Sequence, residues 1–508
     1  MITKILFLFV FFGIMLGVGL YSRKHTTNVN DFVLGGRSVG PWLTAFAYGT
    51  SYFSAVVFVG YAGQFGFKYG ISATWIGIGN AIIGSLLAWV ILGRRTRVMT
   101  KHLDTATMPD FFGKRYDSKA LRIAAAGIAF IFLIPYTASV YNGLSRLFGM
   151  AFNIPYSVCV IAMAALTGIY VVLGGYMATA INDFIQGIIM LFGIVAVIAA
   201  VLNGQGGFYQ AMITLSELES DVPLTLGQKG VFTSFFGPDL PNLLGVVVLT
   251  SLGTWGLPQM VQKFYAIKDE KAIKYGTIIS TVFAVIVSGG CYFLGGFGRL
   301  FDSPAIYDSK GNVIYDAIVP QMLSCLPDIL MGIVIVLVLS ASMSTLSSLV
   351  LTSSSTLTLD LLKDNVVKDM DEKKQLLWMR VMLVFFIVIS VVIAMDPPAF
   401  IAQLMSISWG ALAGAFLAPF LYGLYWKGVT RASVWASFIC GVGITVANMF
   451  FKVIASPINA GAIAMIAGLI VVPLVSFVTP KMDSKKMDSV FLCLEEKVLV
   501  SKKKSIEE

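Results

Sequence analysis

The chain has 508 residues, of which 57% are hydrophobic and 12% charged, and its mean hydropathy is +0.84. Soluble domains run near ~25% charged, because a charged surface keeps them in water. Half that share, with repeated apolar runs of about 20 residues, excludes a soluble globular protein and makes lipid the main solvent. The net charge of +9 sits in short loops between those runs, which points to membrane orientation and away from nucleic acid.

The first apolar run covers 2–21. No basic region precedes it and Arg23-Lys24-His25 follows it, so a retained span is expected and not a cleaved signal. Further runs lie near 41–66, 72–93, 121–150, 155–174, 180–202, 241–263, 273–297, 328–358, 377–395, 398–425, 432–453 and 460–479. The pattern predicts an all-α polytopic membrane protein of about thirteen spans, one membrane domain over 1–480, and a tail over 481–508. Arg94, Arg95, Arg97, Lys101, Lys114, Arg115, Lys268, Lys271, Lys274, Lys363, Lys373, Lys374 and Lys427 fall in alternate loops, and the tail adds more lysines. The opposite loops are poorer in Lys and Arg, and 203–240 carries Glu217, Glu219, Asp221 and Asp239. The positive-inside rule then puts the amino terminus outside and the tail in the cytoplasm.

Two spans do not read as plain lipid-facing helices. The second contains Gly49-Thr50-Ser51-Tyr52-Phe53-Ser54 and the seventh Gly253-Thr254-Trp255-Gly256-Leu257-Pro258. Glycine lowers the cost of leaving helical geometry and proline removes a donor. Irregular backbone at membrane depth is tolerated against protein or a water-filled cavity. The two are five spans apart, an odd offset that gives them opposite directions, as an inverted five-helix repeat led by a broken helix predicts. The repeats are expected at about 41–202 and 241–425.

The ninth span carries Ser340-Ala341-Ser342-Met343-Ser344-Thr345-Leu346-Ser347-Ser348. At about 100° per residue, Ala341, Ser344, Thr345 and Ser348 share a face, with Ser347 on its flank. Such hydroxyls bond their own helix carbonyls, help helices pack, or, beside a broken helix, offer oxygen to a small hard cation. Asp183, at the start of the sixth span, reads either as a helix cap at the interface or as an intramembrane functional carboxylate. Cys159, Cys291, Cys325, Cys440 and Cys493 are scattered and the two histidines, His25 and His102, are far apart, so neither a disulfide framework nor a zinc site is read. The chain carries none of the Walker A, Gly-x-Ser-x-Gly or His-Glu-x-x-His patterns, and an enzyme is not expected.

Several motifs together carry a resemblance. They are Asp31-Phe32-Val33-Leu34-Gly35-Gly36-Arg37-Ser38-Val39-Gly40-Pro41-Trp42, Met108-Pro109-Asp110-Phe111-Phe112, Leu173-Gly174-Gly175-Tyr176, Asn182-Asp183 with Gln186, and Ala341 to Ser347. In order from about residue 31 to about 430, the chain resembles the sodium/solute symporter family, and among its members the bacterial sodium/proline symporters. The resemblance implies a LeuT-like fold of inverted five-helix repeats and sodium-coupled import of a small polar organic solute, such as an amino acid, a monocarboxylate or a vitamin. By matching position it implies a first sodium held by the carbonyls of Thr50, Phe53 and Ala341 and the hydroxyls of Ser344 and Thr345. Some relatives have a second sodium site, and the matching residues here are Asp183, Ser344, Ser347 and Ser348. Ser51, Tyr52, Ser54, Tyr136, Thr254 and Trp255 are the candidate lining of the solute pocket. Proline permeases carry an aspartate where Tyr52 stands, and the pocket arginine of sialic acid transporters is absent, since the fourth span reads Pro135-Tyr136 with no arginine before Arg146. The substrate and the number of sodium ions stay open. The expected partners are one small-molecule substrate and the lipid bilayer, with no nucleic acid, and the functional unit is expected to be a monomer in the plasma membrane. A sensor or channel of similar shape, or coupling to protons through Asp183, are the alternative readings.

Overall fold

The computed structural model describes residues 2–23, 28–152, 154–324, 326–363, 365–367, 370–396 and 400–495. Apart from isolated bridges, the regular structure among them is helical. Eleven helical stretches are long and apolar enough to cross a membrane, where the sequence suggested about thirteen spans. The difference has a local cause. Val56–His102 and Tyr156–Gly204 each cover parts of two runs that the sequence separates, and each contains a break.

The breaks sit at glycines. Gly70 (φ 64°, ψ −143°) and Gly175 (φ 55°, ψ −144°) adopt nearly the same backbone conformation, one that side chains other than glycine rarely tolerate. A Cβ on Gly175 would also lie 2.8 Å from the Phe32 ring and 2.8 Å from the Phe32 carbonyl oxygen. This turn is the Leu173-Gly-Gly-Tyr motif, and it seats the start of the sixth span on the short Val29–Leu34 helix. Because the helix restarts at Tyr176, Asp183 lies about two turns inside it and is fully buried. The cap reading of Asp183 is therefore excluded.

Span two begins as the helix Pro41–Tyr52, with proline in the first turn, where its missing N–H costs nothing. The helix stops because Phe53 takes an extended conformation (φ −107°, ψ 90°). Beyond Ser54 the chain re-enters helix through the π-helical Val56–Tyr61 and then Ala62–Tyr69. Span seven repeats this plan in the opposite sense. Asp239 caps Leu240–Gly253 by accepting from the Asn242 N–H at 3.2 Å, and the helix then unwinds through Thr254 to Leu257. Pro258 opens Pro258–Tyr265 and holds Leu257 out of the helical region (φ −85°, ψ 122°).

Burial sorts the other spans. In Asp328–Leu362, 83% of the apolar window is buried inside the protein, and in Ile401–Tyr425 89%, against 28% in Glu372–Met395. The first two are central and the third lies at the lipid boundary, where Val384, Val388 and Val392 are exposed. Phe9, Phe192 and Phe477 complete an apolar outer surface that only lipid can cover. At the end carrying the basic loops, Thr107 caps the Met108–Arg115 helix, which accounts for the motif that follows it. Thr107 also donates to Asp360 at 2.6 Å, and Arg122 pairs with the same carboxylate at 2.7 Å, which ties this helix to the end of the central span. Within the tail, Ser484–Glu495 is a helix that buries Met487, Val490 and Phe491 against this end.

Gly175→Ala is expected to lower the unfolding temperature of the detergent-purified protein. The left-handed backbone alone costs roughly 1–2 kcal/mol, before the clash with Phe32. Gly13→Ala, at a position with open space around it, is the control and should leave the transition unchanged.

Candidate cation and solute site

A helix that ends inside the bundle leaves its last carbonyls without intrahelical donors. At the end of Pro41–Tyr52, two of these are met by the central span. Ser344 Oγ lies 3.1 Å from the Thr50 carbonyl oxygen, and Thr345 Oγ1 lies 3.4 Å from the same oxygen and 3.3 Å from that of Ser51. Both hydroxyls also approach the Ala341 carbonyl, at 3.1 and 3.2 Å. Thr50, Ser51, Ser344 and Thr345 have no measurable exposure. Each hydroxyl has one proton to donate but is within reach of two or three carbonyl oxygens. The cluster is therefore rich in acceptors and short of donors, which suits a hard monovalent cation with oxygen ligands and needs no fixed charge. Phe53, Ser54 and Ala341 line a void of about 10 Å³ together with Met190, Ile194, Val287 and Leu337.

The aromatic candidates gather on the other side of the break. The Tyr52 ring stacks on Phe53 with centroids 4.3 Å apart and lies 6.1 Å from Trp409, and Tyr136 meets Trp409 edge-on at 5.8 Å. The Tyr52 hydroxyl donates to the Thr250 carbonyl at 2.5 Å. The Tyr136 hydroxyl and the Trp409 indole nitrogen are buried without a well-aligned hydrogen bond, and Tyr136 lies near the polar atoms of Trp409 and Ser54. Polar groups that meet only each other, at poor geometry, at one aromatic contact are what a polar solute could engage. The remaining candidates are committed elsewhere. Thr254 Oγ1 donates to the Gly84 and Ser251 carbonyls, the Trp255 indole to Ile83, and Ser54 Oγ accepts from the Val56 N–H. Ser51 Oγ lies 2.8 Å from Ser348 Oγ, facing the central span.

The residues expected around a second cation lie about one turn further along the central span. Asp183 is buried, and neither of its oxygens makes a hydrogen bond. Ser347 Oγ is spent on the Ser344 carbonyl at 2.9 Å. Between Asp183 and Ser348 lies a group absent from the sequence-based set, the Lys263 ammonium. It is 3.6 Å from Asp183 Oδ2 and donates to Ser348 Oγ at 2.9 Å. Lys263 lies at the very end of an apolar run, where a lysine reads as an interfacial anchor. Trp409 was missed for a different reason, since aromatic residues are common in apolar spans. The signal that could have found Lys263 is the general one that an ionisable group in a span is functional by default.

A model of the sodium:solute symporter family matches residues 32–441. The chain belongs to that family. The sodium/proline symporter of Staphylococcus aureus strain JH9 is 30% identical over 500 residues, covering 94% of this chain and 92% of that protein. Among solved structures, a substrate-bound, outward-open sodium-coupled sialic acid symporter superposes with a TM-score of 0.77 at 17% identity, over 95% of this chain and 98% of that one. Mhp1, a nucleobase-cation-symport-1 family transporter in a closed conformation, superposes with a TM-score of 0.52 at 11% identity, over 92% and 99% of the two chains. The fold is LeuT-like, with inverted repeats, and the protein is a multi-pass, sodium-coupled symporter of small solutes.

In this symporter the cluster is buried and lies apart from two larger cavities. A cavity of about 480 Å³ at one end is lined by Gln64, Tyr69, Asp239, Tyr315, Gln403 and Asn459. A cavity of about 850 Å³ at the other is lined by Arg37, Arg97, Asp110, Arg122, Lys268 and Lys363. Neither lining includes Thr50, Ser51, Ser344 or Thr345.

Ser344→Ala and Thr345→Ala are each expected to raise the sodium concentration for half-maximal binding by roughly 10–100-fold, since a hydrogen bond or ligand to a charged group is worth about 1.5–3 kcal/mol. Sodium titration of intrinsic tryptophan fluorescence in the purified variants reads this directly. Ser342→Ala is the control, because its hydroxyl is spent on the Val338 carbonyl at 2.7 Å, and it should leave the titration unchanged.

Proposed function

We propose that the protein imports a small polar organic solute by alternating access, with the coupling sodium held by the carbonyls of Thr50, Phe53 and Ala341 and the hydroxyls of Ser344 and Thr345. The observation that carries this reading is the pair of central-span hydroxyls reaching the carbonyls left free where span two unwinds. Sodium binding there would draw the first half of span two toward the central span, and a ligand that favours one arrangement shifts the population toward it. The solute would bind next to that joint, against Tyr52, Tyr136 and Trp409, with Ser54, Thr254 and Trp255 shaping the unwound backbone around it. Proline is a candidate on the strength of the relative's name, and the poorly aligned Tyr136 hydroxyl and Trp409 indole favour a solute with hydrogen-bonding groups.

The reading extends to orientation and organisation. The basic loops face the cytoplasm of a plasma membrane, with the amino terminus outside, because Lys and Arg concentrate at that end. The two repeats correspond to about 41–202 and 241–425, and the described tail helix rests on the cytoplasmic face. The working unit is a single chain, since the cation cluster is complete within it.

Energetically, a monovalent cation entering down 100 mV gains about 2.3 kcal/mol, which permits roughly 1.7 decades of solute accumulation per coupled ion. A thermal-shift screen against amino acids, monocarboxylates, vitamins and sugars, with and without sodium, identifies the solute. In proteoliposomes that solute should then accumulate above its external concentration under an inward sodium gradient. Equal uptake with choline in place of sodium, or uptake driven by a proton gradient alone, would contradict the reading, and mere equilibration would mean a channel.

A further inference from the structure

Four residues were expected to hold a second cation, and a fixed ammonium already lies between two of them. Ser344 is turned to the Thr50 and Ala341 carbonyls, and Ser347 to the Ser344 carbonyl. Asp183 and Ser348 face the same spot, and both are already in contact with Lys263. The ammonium donates to Ser348 at 2.9 Å, lies 3.6 Å from Asp183 Oδ2, and sits 5.2 Å from the centre of the Tyr176 ring. Lys263 is 2% exposed and Asp183 not at all, so solvent does not screen this pair. A sodium ion bound to the same carboxylate would stand a few ångströms from a fixed positive charge in a region of low dielectric, where like charges repel most strongly.

We propose that Lys263 supplies, as a tethered ammonium, the positive charge that a second sodium would bring between Asp183 and Ser348, so that this symporter couples one sodium per solute. The proposal rests on the reading of the Thr50–Ser344–Thr345 cluster as the sodium site. A tether differs from an ion in one respect that matters for transport. Lys263 belongs to Pro258–Tyr265, the half of broken span seven beyond the unwound turn, and cannot leave. Asp183 belongs to span six and Ser348 to the central span, so one ammonium joins three spans. Ser348 in turn meets Ser51 at the break in span two. The fixed charge thus lies one hydroxyl away from the sodium cluster, and it holds the two broken helices to the same turn of the central span.

The test counts bound sodium and does not depend on knowing the solute. Radioactive sodium binding to the purified full-length wild type, by scintillation proximity at pH 8, should saturate at one ion per protein with a Hill slope of 1. Lys263→Ala leaves Asp183 and Ser348 free to take an ion, and should saturate at two with a Hill slope above 1. Adding Asp183→Asn to that variant should return the count to one. Should Lys263→Ala fail to fold, the neutral pair Asp183→Asn with Lys263→Met should still bind one ion per protein. Two ions bound to the wild type, or a folded Lys263→Ala that binds only one, would overturn the proposal. No sodium bound to the wild type would remove the cluster assignment itself, and the proposal with it.

Discussion

A helix stopped in the middle of a bilayer leaves carbonyls that lipid cannot satisfy, and the rest of the structure depends on how that need is met. Within the hydrocarbon, every backbone polar group requires a partner from protein, water or ligand. The end of Pro41–Tyr52 creates the deficit, and Ser344 and Thr345 answer it only in part, with two protons for the three carbonyl oxygens of Thr50, Ser51 and Ala341. In the reading proposed above, an alkali cation would complete the arrangement without a carboxylate. A neutral cage would hold such an ion weakly enough to release it, which a coupling ion requires and a structural metal does not.

The central span carries more than one task. Along about one turn it meets the broken end of span two through Ser344 and Thr345, and broken span seven through Ser348 and Lys263. Ser51 and Ser348 join the two positions. Both interrupted helices, one from each repeat, are therefore held by neighbouring hydroxyls on a single rigid element buried along most of its length. Motion of one half against the other must stretch or re-form these same few bonds. Ion binding can bias the conformational equilibrium only to the extent that it holds one arrangement better than the other.

The two broken spans were legible in the sequence because glycine and proline clusters are rare enough in apolar runs to stand out, and the inverted pairing doubled the signal. Ser344 and Thr345 were legible for the same reason, as dense hydroxyls where lipid favours none. The span count was less so. Gly70 and Gly175 turn the chain within continuous helical stretches, so hydropathy separates what the backbone joins. Asp183 drew notice as a carboxylate, but its depth followed from where the helix restarts after Gly175, which no local pattern gives. Lys263 escaped because the end of an apolar run is where lysines ordinarily anchor a helix. Its burial comes from tertiary packing against Tyr176, Asp183 and Ser348, residues at least 80 positions away from it in the chain. The directions of Ser51, Thr254 and Trp255 are likewise products of the fold, since each is set by a partner on another span.

Hydrogen–deuterium exchange of the purified protein in sodium against equimolar potassium probes the broken helix and its neighbour most directly. The account predicts that sodium slows exchange at the amides of residues 50–58 and 341–348 together, while 431–451, remote from the site, exchanges equally in both salts. Exchange that is indistinguishable in the two salts at residues 50–58 would contradict it.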